Sequence, residues 1–269
     1  PEIYTLSLHD ALPISEAAPE LDWLSYTSLA WTERILAPPG DLAEEAQIYI
    51  EAVKRNSGGK ARTMLHLGCG AGGHDFHFKG HFEITGVDLC GEQLALARDL
   101  NPGVRYIQGD MRNIRLDRKF DAVVIPDSIM YMSTVEDLDK ALLTSATHLV
   151  PGGVFLAVVH PKELFRNNNF VYSGSDGDTQ VTVFENDHVV SDSTYEAAIV
   201  FLIRRETELQ IYNEVHTLGL FSNSEWMRAF EGSGLVLNEE IALNDLYDHF
   251  LAEEGEYRLK AFVCEKRRQ

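Results

Sequence analysis

The stretch Leu65-His66-Leu67-Gly68-Cys69-Gly70-Ala71-Gly72-Gly73 decides the fold. The apolar run from Arg62 to Leu67 reads as a buried strand, and it breaks directly into glycines. Glycine is the residue that turns the backbone through positive φ and lets a ligand approach closely. A second apolar segment, Ile84-Thr85-Gly86-Val87-Asp88, ends in an acid 20 residues beyond Gly68. In doubly wound α/β folds an acid at that spacing sits at the tip of the second strand, where it accepts hydrogen bonds from a ribose diol. The pattern implies an adenosine-containing cofactor.

Further segments extend the alternation. Val104-Arg105-Tyr106-Ile107-Gln108-Gly109-Asp110-Met111 is a third strand ending in an acid suited to an adenine amino group and a methionine suited to the ring. A fourth strand is expected near 120–126 and a fifth near 153–160, with helical segments near 73–79, 91–100 and 135–149. Short strands separated by helices imply right-handed crossovers and a parallel sheet covered on both faces.

The quoted pieces together resemble the class I S-adenosylmethionine (SAM)-dependent methyltransferases. The matching segments are LHLGCGAGG, GVDLC, GDMRNIRLDRKFDAVV, PDSIMYM and LVPGGVFLAVV, spanning about Arg62 to His160. AWTERILAPPGDLAEEA before them and HTLGLFSNSEWMRAFEGSGL after them resemble a bacterial subgroup of that family, and more distantly the N-methyltransferases of nucleotide-linked amino sugars. The resemblance implies a Rossmann-like seven-stranded sheet with a final antiparallel pair, SAM as cofactor and a small-molecule nitrogen or oxygen as acceptor. It implies cofactor contacts from Gly68, Cys69, Gly70, Gly72, Asp88, Leu89, Asp110, Met111 and Pro126. On the acceptor side it points to Asp127, Tyr131 and His216. Tyr26 and Trp31 are candidates for a lid, with core packing as the other reading.

Two other function classes stay open at this stage. Gly68, Gly70 and Gly73 formally match the G-x-G-x-x-G of nicotinamide-dependent oxidoreductases. A SAM-binding fold can also serve as a non-catalytic sensor or partner.

The sequence divides into five parts. Residues 1–14 read like a translated sequencing adapter and are expected to take no part in the fold. Residues 15–60 form a helical entry segment in which Asp41 is expected to cap a helix. Residues 61–160 are the SAM-binding core, 161–220 an antiparallel β-hairpin insertion serving as substrate cap, and 221–269 the end of the core. In the insertion, strands are expected at 181–184, 195–203 and 209–216, after a turn-rich stretch from Asn167 to Asp178. Ser222 is expected to cap the following helix.

The chain has 269 residues and a net charge of −19, which opposes nucleic-acid binding because phosphate contacts dominate it. No apolar run approaches the roughly 20 residues needed to cross a bilayer. Cys69, Cys90 and Cys264 are isolated, which argues against a disulfide framework and fits a reducing cytoplasm. His74, Asp75, His77 and His81 lie close in sequence but lack the supporting pattern of a metal site, so none is expected. The sequence does not fix the oligomeric state; a homodimer is a candidate.

Overall fold

The computed structural model describes residues 23–268. The adapter-like segment 1–14 lies outside the described residues. Among the described residues, eleven strands form two sheets.

The larger sheet takes β1 (Thr63–Leu67), β2 (Glu83–Asp88), β3 (Arg105–Gln108), β4 (Phe120–Ile125), β5 (Leu149–Val159), β10 (Leu235–Leu243) and β11 (Leu259–Lys266). Their order is β10-β11-β5-β4-β1-β2-β3. The first five run parallel, and β11 is antiparallel to both β5 and β10. This is the doubly wound arrangement with a final antiparallel pair that the alternation of strands and helices predicts. The central strands are buried on both faces, which is why β1 and β4 read as continuous apolar runs instead of alternating.

Helices α2 (Ala43–Asn56), α3 (Gly73–Phe78), α4 (Gly91–Leu100), α5 (Val135–His148) and α6 (Asn223–Ser233) cover the faces, and the short α1 (Glu33–Leu36) precedes them. One core holds α5 and α6 against the sheet around Phe155, Phe230 and Phe262. The opposite core holds α2 around Tyr49, Ile50 and Phe78. Ser222 caps α6 as expected: its hydroxyl accepts from Glu225 N–H while Glu225 accepts from Ser222 N–H. Such a reciprocal cap contributes about 1 kcal/mol. The expected Asp41 cap on α2 is overturned, because the helix starts one residue later with Leu42 at the cap and no side-chain cap bond. The Leu42 side chain instead fills the space over Gly73, where an added Cβ would come within 2.5 Å of it.

Between β5 and α6 stands the second sheet, in the order β6-β7-β8-β9. Its strands are β6 (Asn168–Asp176), β7 (Thr179–Val189), β8 (Thr194–Arg205) and β9 (Glu208–Gly219). β6 corrects the turn-rich reading of 167–178. Its Asn, Gly, Ser and Asp residues have poor strand propensity, yet the tight Asp176–Thr179 turn zips all nine positions against β7. One face of this sheet packs Val181, Val183, Phe201 and Ile203 against Leu29 and Trp31. Trp31 is thereby a packing residue, with the Arg205 guanidinium 4.9 Å from its ring centre. The sheet reaches the carboxyl ends of the larger sheet: a Cβ on Gly219 would fall 2.2 Å from Met132 O.

Candidate active site

The glycine loop joins β1 to α3. Gly68 has φ +70°, and a Cβ there would fall 1.7 Å from Ser128 Oγ and 3.0 Å from Met111 Cε. The loop therefore touches both the turn after β3 and the turn after β4, and only glycine permits it. Gly70 has φ +52° with no atom within 4 Å of an added Cβ, so its outer side faces open space. Below the loop, a buried polar chain holds the Gly72 carbonyl. Asn101 Nδ2 donates to Gly72 O and to Tyr106 Oη, Tyr106 donates to Asp75, and Asp75 lies 2.8 Å from His66 Nδ1. A fully bonded buried network of this kind fixes backbone geometry. Cys69 is buried within it, and burial pushes its thiol pKa well up, so it stays a neutral filler.

Asp88 ends β2. Its Oδ2 accepts from Gly70 N–H and its Oδ1 from Cys90 N–H, both at 2.8 Å. Each carboxylate oxygen keeps a lone pair for a further donor. Burial raises the Asp88 pKa, with those N–H groups acting against it. Leu89 follows with 37% exposure, an apolar surface at the rim of the loop. Asp110 is held by Arg112, with Nη2 at 2.7 Å. Burial works to raise its pKa, and the Arg112 bonds outweigh that and hold it down. Met111 is half-buried against the core below. Pro126 is buried where β4 ends.

Tyr131 and His216, distant in sequence, are brought together. Tyr131 sits in the 3₁₀ turn Ser128–Tyr131 after β4, and its Oη lies 3.0 Å from His216 Nδ1 on β9. The same oxygen lies 2.7 Å from Tyr26 Oη. Trp23 stacks on the His216 ring at 4.2 Å between centroids. Glu214 Oε1 stands 3.2 Å from His216 Nε2, at an angle that makes the contact an ion-pair approach, not a hydrogen bond. Glu214 also accepts from the backbone N–H groups of Leu24 and Ser25, so β9 fastens the entry turn in place. Burial, then Asp127, Glu185 and Glu214, drive the Tyr131 pKa well up, opposed by the Tyr26 hydrogen bond. Tyr131 is a phenol at neutral pH.

Asp127 is exposed to solvent, yet its charge acts on Tyr26, Tyr131, Tyr195 and Tyr257 from several elements. It opens the 3₁₀ turn that carries Tyr131, so it stands at the junction of the carboxyl edge of β4 and the inserted sheet, the recess of this site. Among the described residues its carboxylate takes part in no hydrogen bond. Partial desolvation, then repulsion from Glu45, raises its pKa, while His74 works the other way. On α1, desolvation and then the charge of Asp127 raise the Glu33 pKa, with His74 opposing.

Sequence reasoning missed several of these groups. His74 Nε2 pairs with Glu45 Oε1 at 2.5 Å, and Tyr247 donates to the same Glu45 carboxylate. Burial works to lower the His74 pKa, but Glu45 more than reverses it, and His74 in turn holds the Glu45 carboxyl below its ordinary value. His77 bonds to the Pro39 carbonyl and His81 to Lys54, so these histidines point to separate partners. Tyr26 reads from the sequence as a lid or packing residue. Its position before the glycine loop gave no sign of a bond to Tyr131.

Comparison with known proteins follows this geometry. A family profile described as a methyltransferase domain matches residues 64–153. The Streptomyces venezuelae dTDP-3-amino-3,4,6-trideoxy-alpha-D-glucopyranose N,N-dimethyltransferase is 32% identical over 207 residues, 72% of this chain and 84% of that protein. The sugar N-methyltransferase KedS8 from Streptoalloteichus superposes with a TM-score of 0.74 at 24% identity, over 98% of this chain and 99% of that one. SAM-bound CalS10, an amino pentose methyltransferase from Micromonospora echinaspora, superposes with a TM-score of 0.70 at 23% identity, over 93% and 100% of the two chains. All three relatives are methyltransferases by name, and nothing supports the oxidoreductase or sensor alternatives.

Proposed function

We propose, from the premise that this chain belongs to the class I SAM-dependent methyltransferases, that its acceptor is the amino group of an aminodeoxy sugar. The chain is an enzyme that transfers a methyl group from SAM to a nitrogen or oxygen of a small molecule. The choice of amine and sugar draws on what its relatives' names say they act on. The observation that carries it is the hydrogen-bonded line from Tyr26 through Tyr131 to His216 beside the Asp127 recess.

The residues fit the cofactor. Gly70 offers an open backbone face, Asp88 has free lone pairs for a ribose diol, and Leu89 presents an apolar surface for adenine. Gly68, Cys69 and Gly72 shape the loop, while Asp110, Met111 and Pro126 close the side next to it. When bound, SAM supplies an electrophilic methyl group whose carbon is already activated by the sulfonium.

An ammonium ion has no lone pair, so the acceptor nitrogen must lose a proton before it attacks. Asp127, with a raised pKa and no hydrogen bond among the described residues, holds and orients that nitrogen. Tyr131 accepts the proton at Oη as its own proton passes to His216 Nδ1, and Glu214 stabilises the imidazolium. Proton balance is kept, and no phenolate accumulates. The second sheet, which brings His216 to the recess, acts as the acceptor cap. Alignment within the recess contributes alongside the base.

No helix among the described residues is long and apolar enough to cross a membrane. We place the activity in the cytoplasm, where the three unpaired cysteines remain reduced. The test is methyl transfer from labelled SAM to a panel of amino sugars and their hydroxyl counterparts. Transfer to the amines supports the reading, and transfer confined to hydroxyls removes it.

A further inference from the structure

The strands of the second sheet turn one side to the rest of the fold and the other to solvent. Val181 and Val183 on β7 and Tyr195, Ala197, Phe201 and Ile203 on β8 are buried, so the residues alternating with them point outward. An antiparallel sheet with one solvated face normally makes that face polar. Here it is apolar: Phe184 is 46% exposed, Ile211 62% and Val215 49%. Register joins them into one patch. Phe184 stands beside Val171 and Val200, Ile211 beside Leu202, and Val215 beside Ala198. None of the three exposed side chains packs into either core or against the entry segment. A contiguous apolar patch of this kind marks a surface that another molecule covers.

The charges on this face say what the other molecule is. Charged residues make up 24% of the chain, yet the outward side of β8 carries only two, Glu196 near one end and Arg204 at the other. Val200 lies midway between them. No charged residue stands on the outward side of β7 or β9 between the rows of Glu196 and Arg204. Among the described residues neither Glu196 nor Arg204 has an ion-pair or side-chain hydrogen-bond partner. A two-fold axis crossing the strands above Val200 lays β8 antiparallel over β8 of a second copy. Glu196 of each copy then meets Arg204 of the other, and the apolar patch meets itself. That self-complementarity is what an isologous interface requires. The size also fits. The 12 residues of β8 run about 40 Å and four strands span about 19 Å, giving about 750 Å² per copy, against about 800 Å² for a standard interface. A lipid surface fits less well, because Arg204 is the one lysine or arginine on this face among the described residues and the chain carries a net −19.

We propose that the outward face of the second sheet binds the same face of a second copy of this chain, forming a two-fold dimer in which the β8 strands cross antiparallel and Glu196 pairs with Arg204 of the partner copy at both ends of an apolar centre. Two twisted sheets stacked in this way pack about 10 Å apart with strands within about 30° of each other. His216 and Glu214 lie on the opposite face of the sheet from Val215 and Ile211, so the dimer leaves the recess clear. It backs the sheet that carries His216 with a second sheet.

The test is sedimentation of the full chain at micromolar concentrations, where it should run at twice the chain mass. Ile211→Lys sets an ammonium into the apolar centre from both copies and should weaken the dimer at least about a hundredfold. Ile211 is exposed in the single chain, so this variant should fold, and unchanged melting temperature at a concentration where the parent is monomeric certifies that it does. Glu196→Lys and Arg204→Glu should each weaken the dimer about tenfold by setting like charges opposite each other. The double variant should return to within about threefold of the parent, because the two ends exchange sign together. A parent chain that is monomeric at these concentrations, a dimer that survives Ile211→Lys, or a double variant no better than the single ones overturns the proposal. A monomer that pairs only after residues 1–22 are removed overturns it in favour of that segment as the occupant of the face.

Discussion

Tyr131 Oη stands 3.0 Å from His216 Nδ1, joining the turn after β4 to a strand 85 residues further along the chain. The bond couples a residue of the larger sheet's carboxyl edge to one of the inserted sheet, so the proposed acceptor side is complete only when both are folded. Tyr131→Phe keeps the ring and removes the relay. Turnover of an amine acceptor should fall about a hundredfold, the usual scale for loss of a proton-transfer group. Calorimetric affinity for SAM should stay within about twofold. His216→Gln should act the same way, and a parallel loss of SAM affinity in either variant would assign these residues to the cofactor instead.

Asp88 answers a different question. Its carboxylate accepts from Gly70 and Cys90 in the chain and has lone pairs left for a diol. Asp88→Ala should weaken SAM binding by about 1–3 kcal/mol, the cost of losing charge-assisted hydrogen bonds. Unchanged affinity in a titration would remove Asp88 from the cofactor site.

The glycine loop allows a sharper contrast. Alanine at either Gly68 or Gly70 meets the positive-φ penalty of about 1–2 kcal/mol. At Gly68 the new Cβ also overlaps Ser128 Oγ at 1.7 Å, whereas at Gly70 it meets nothing. Overlap of that kind typically adds about 1–3 kcal/mol. Thermal unfolding should rank Gly68→Ala well below Gly70→Ala. Equal melting temperatures would contradict the close contact.

Much of this was legible in the sequence where the signal is local. The run from Leu65 to Gly73 and the acid at Asp88 sit within one strand–turn–helix–strand unit, so spacing alone places them. The Ser222 cap likewise depends on a residue three positions away. The failures are of another kind. β6 is held as a strand by its pairing with β7, against the propensity of its own residues. Asp41 has the right side chain for a cap, but tertiary packing of Leu42 on Gly73 moves the helix start. Glu45–His74, Tyr26–Tyr131 and Glu185–Asp187 are contacts whose meaning arises only when recess and cap close on each other. Glu185 and Asp187 lie beyond the strand expected at 181–184, among polar neighbours, and nothing local in the sequence marks them as buried.

Asp187 also governs how stability depends on pH. Burial raises its pKa to about 7, with the Glu185 hydrogen bond opposing the rise, against an ordinary value of 3.8. The folded chain thus binds a proton there that the unfolded chain releases above about pH 4. Stability from this group is present at low pH and lost as pH rises through about 7. Asp187→Asn keeps the shape and cannot ionise, so it should melt at a higher temperature than the parent at pH 8. That advantage should shrink steadily toward pH 4, where both residues are uncharged. Melting curves for the two proteins from pH 4 to pH 8 check this directly, and an advantage that does not grow with pH would show that Asp187 is already ionised and compensated in the fold.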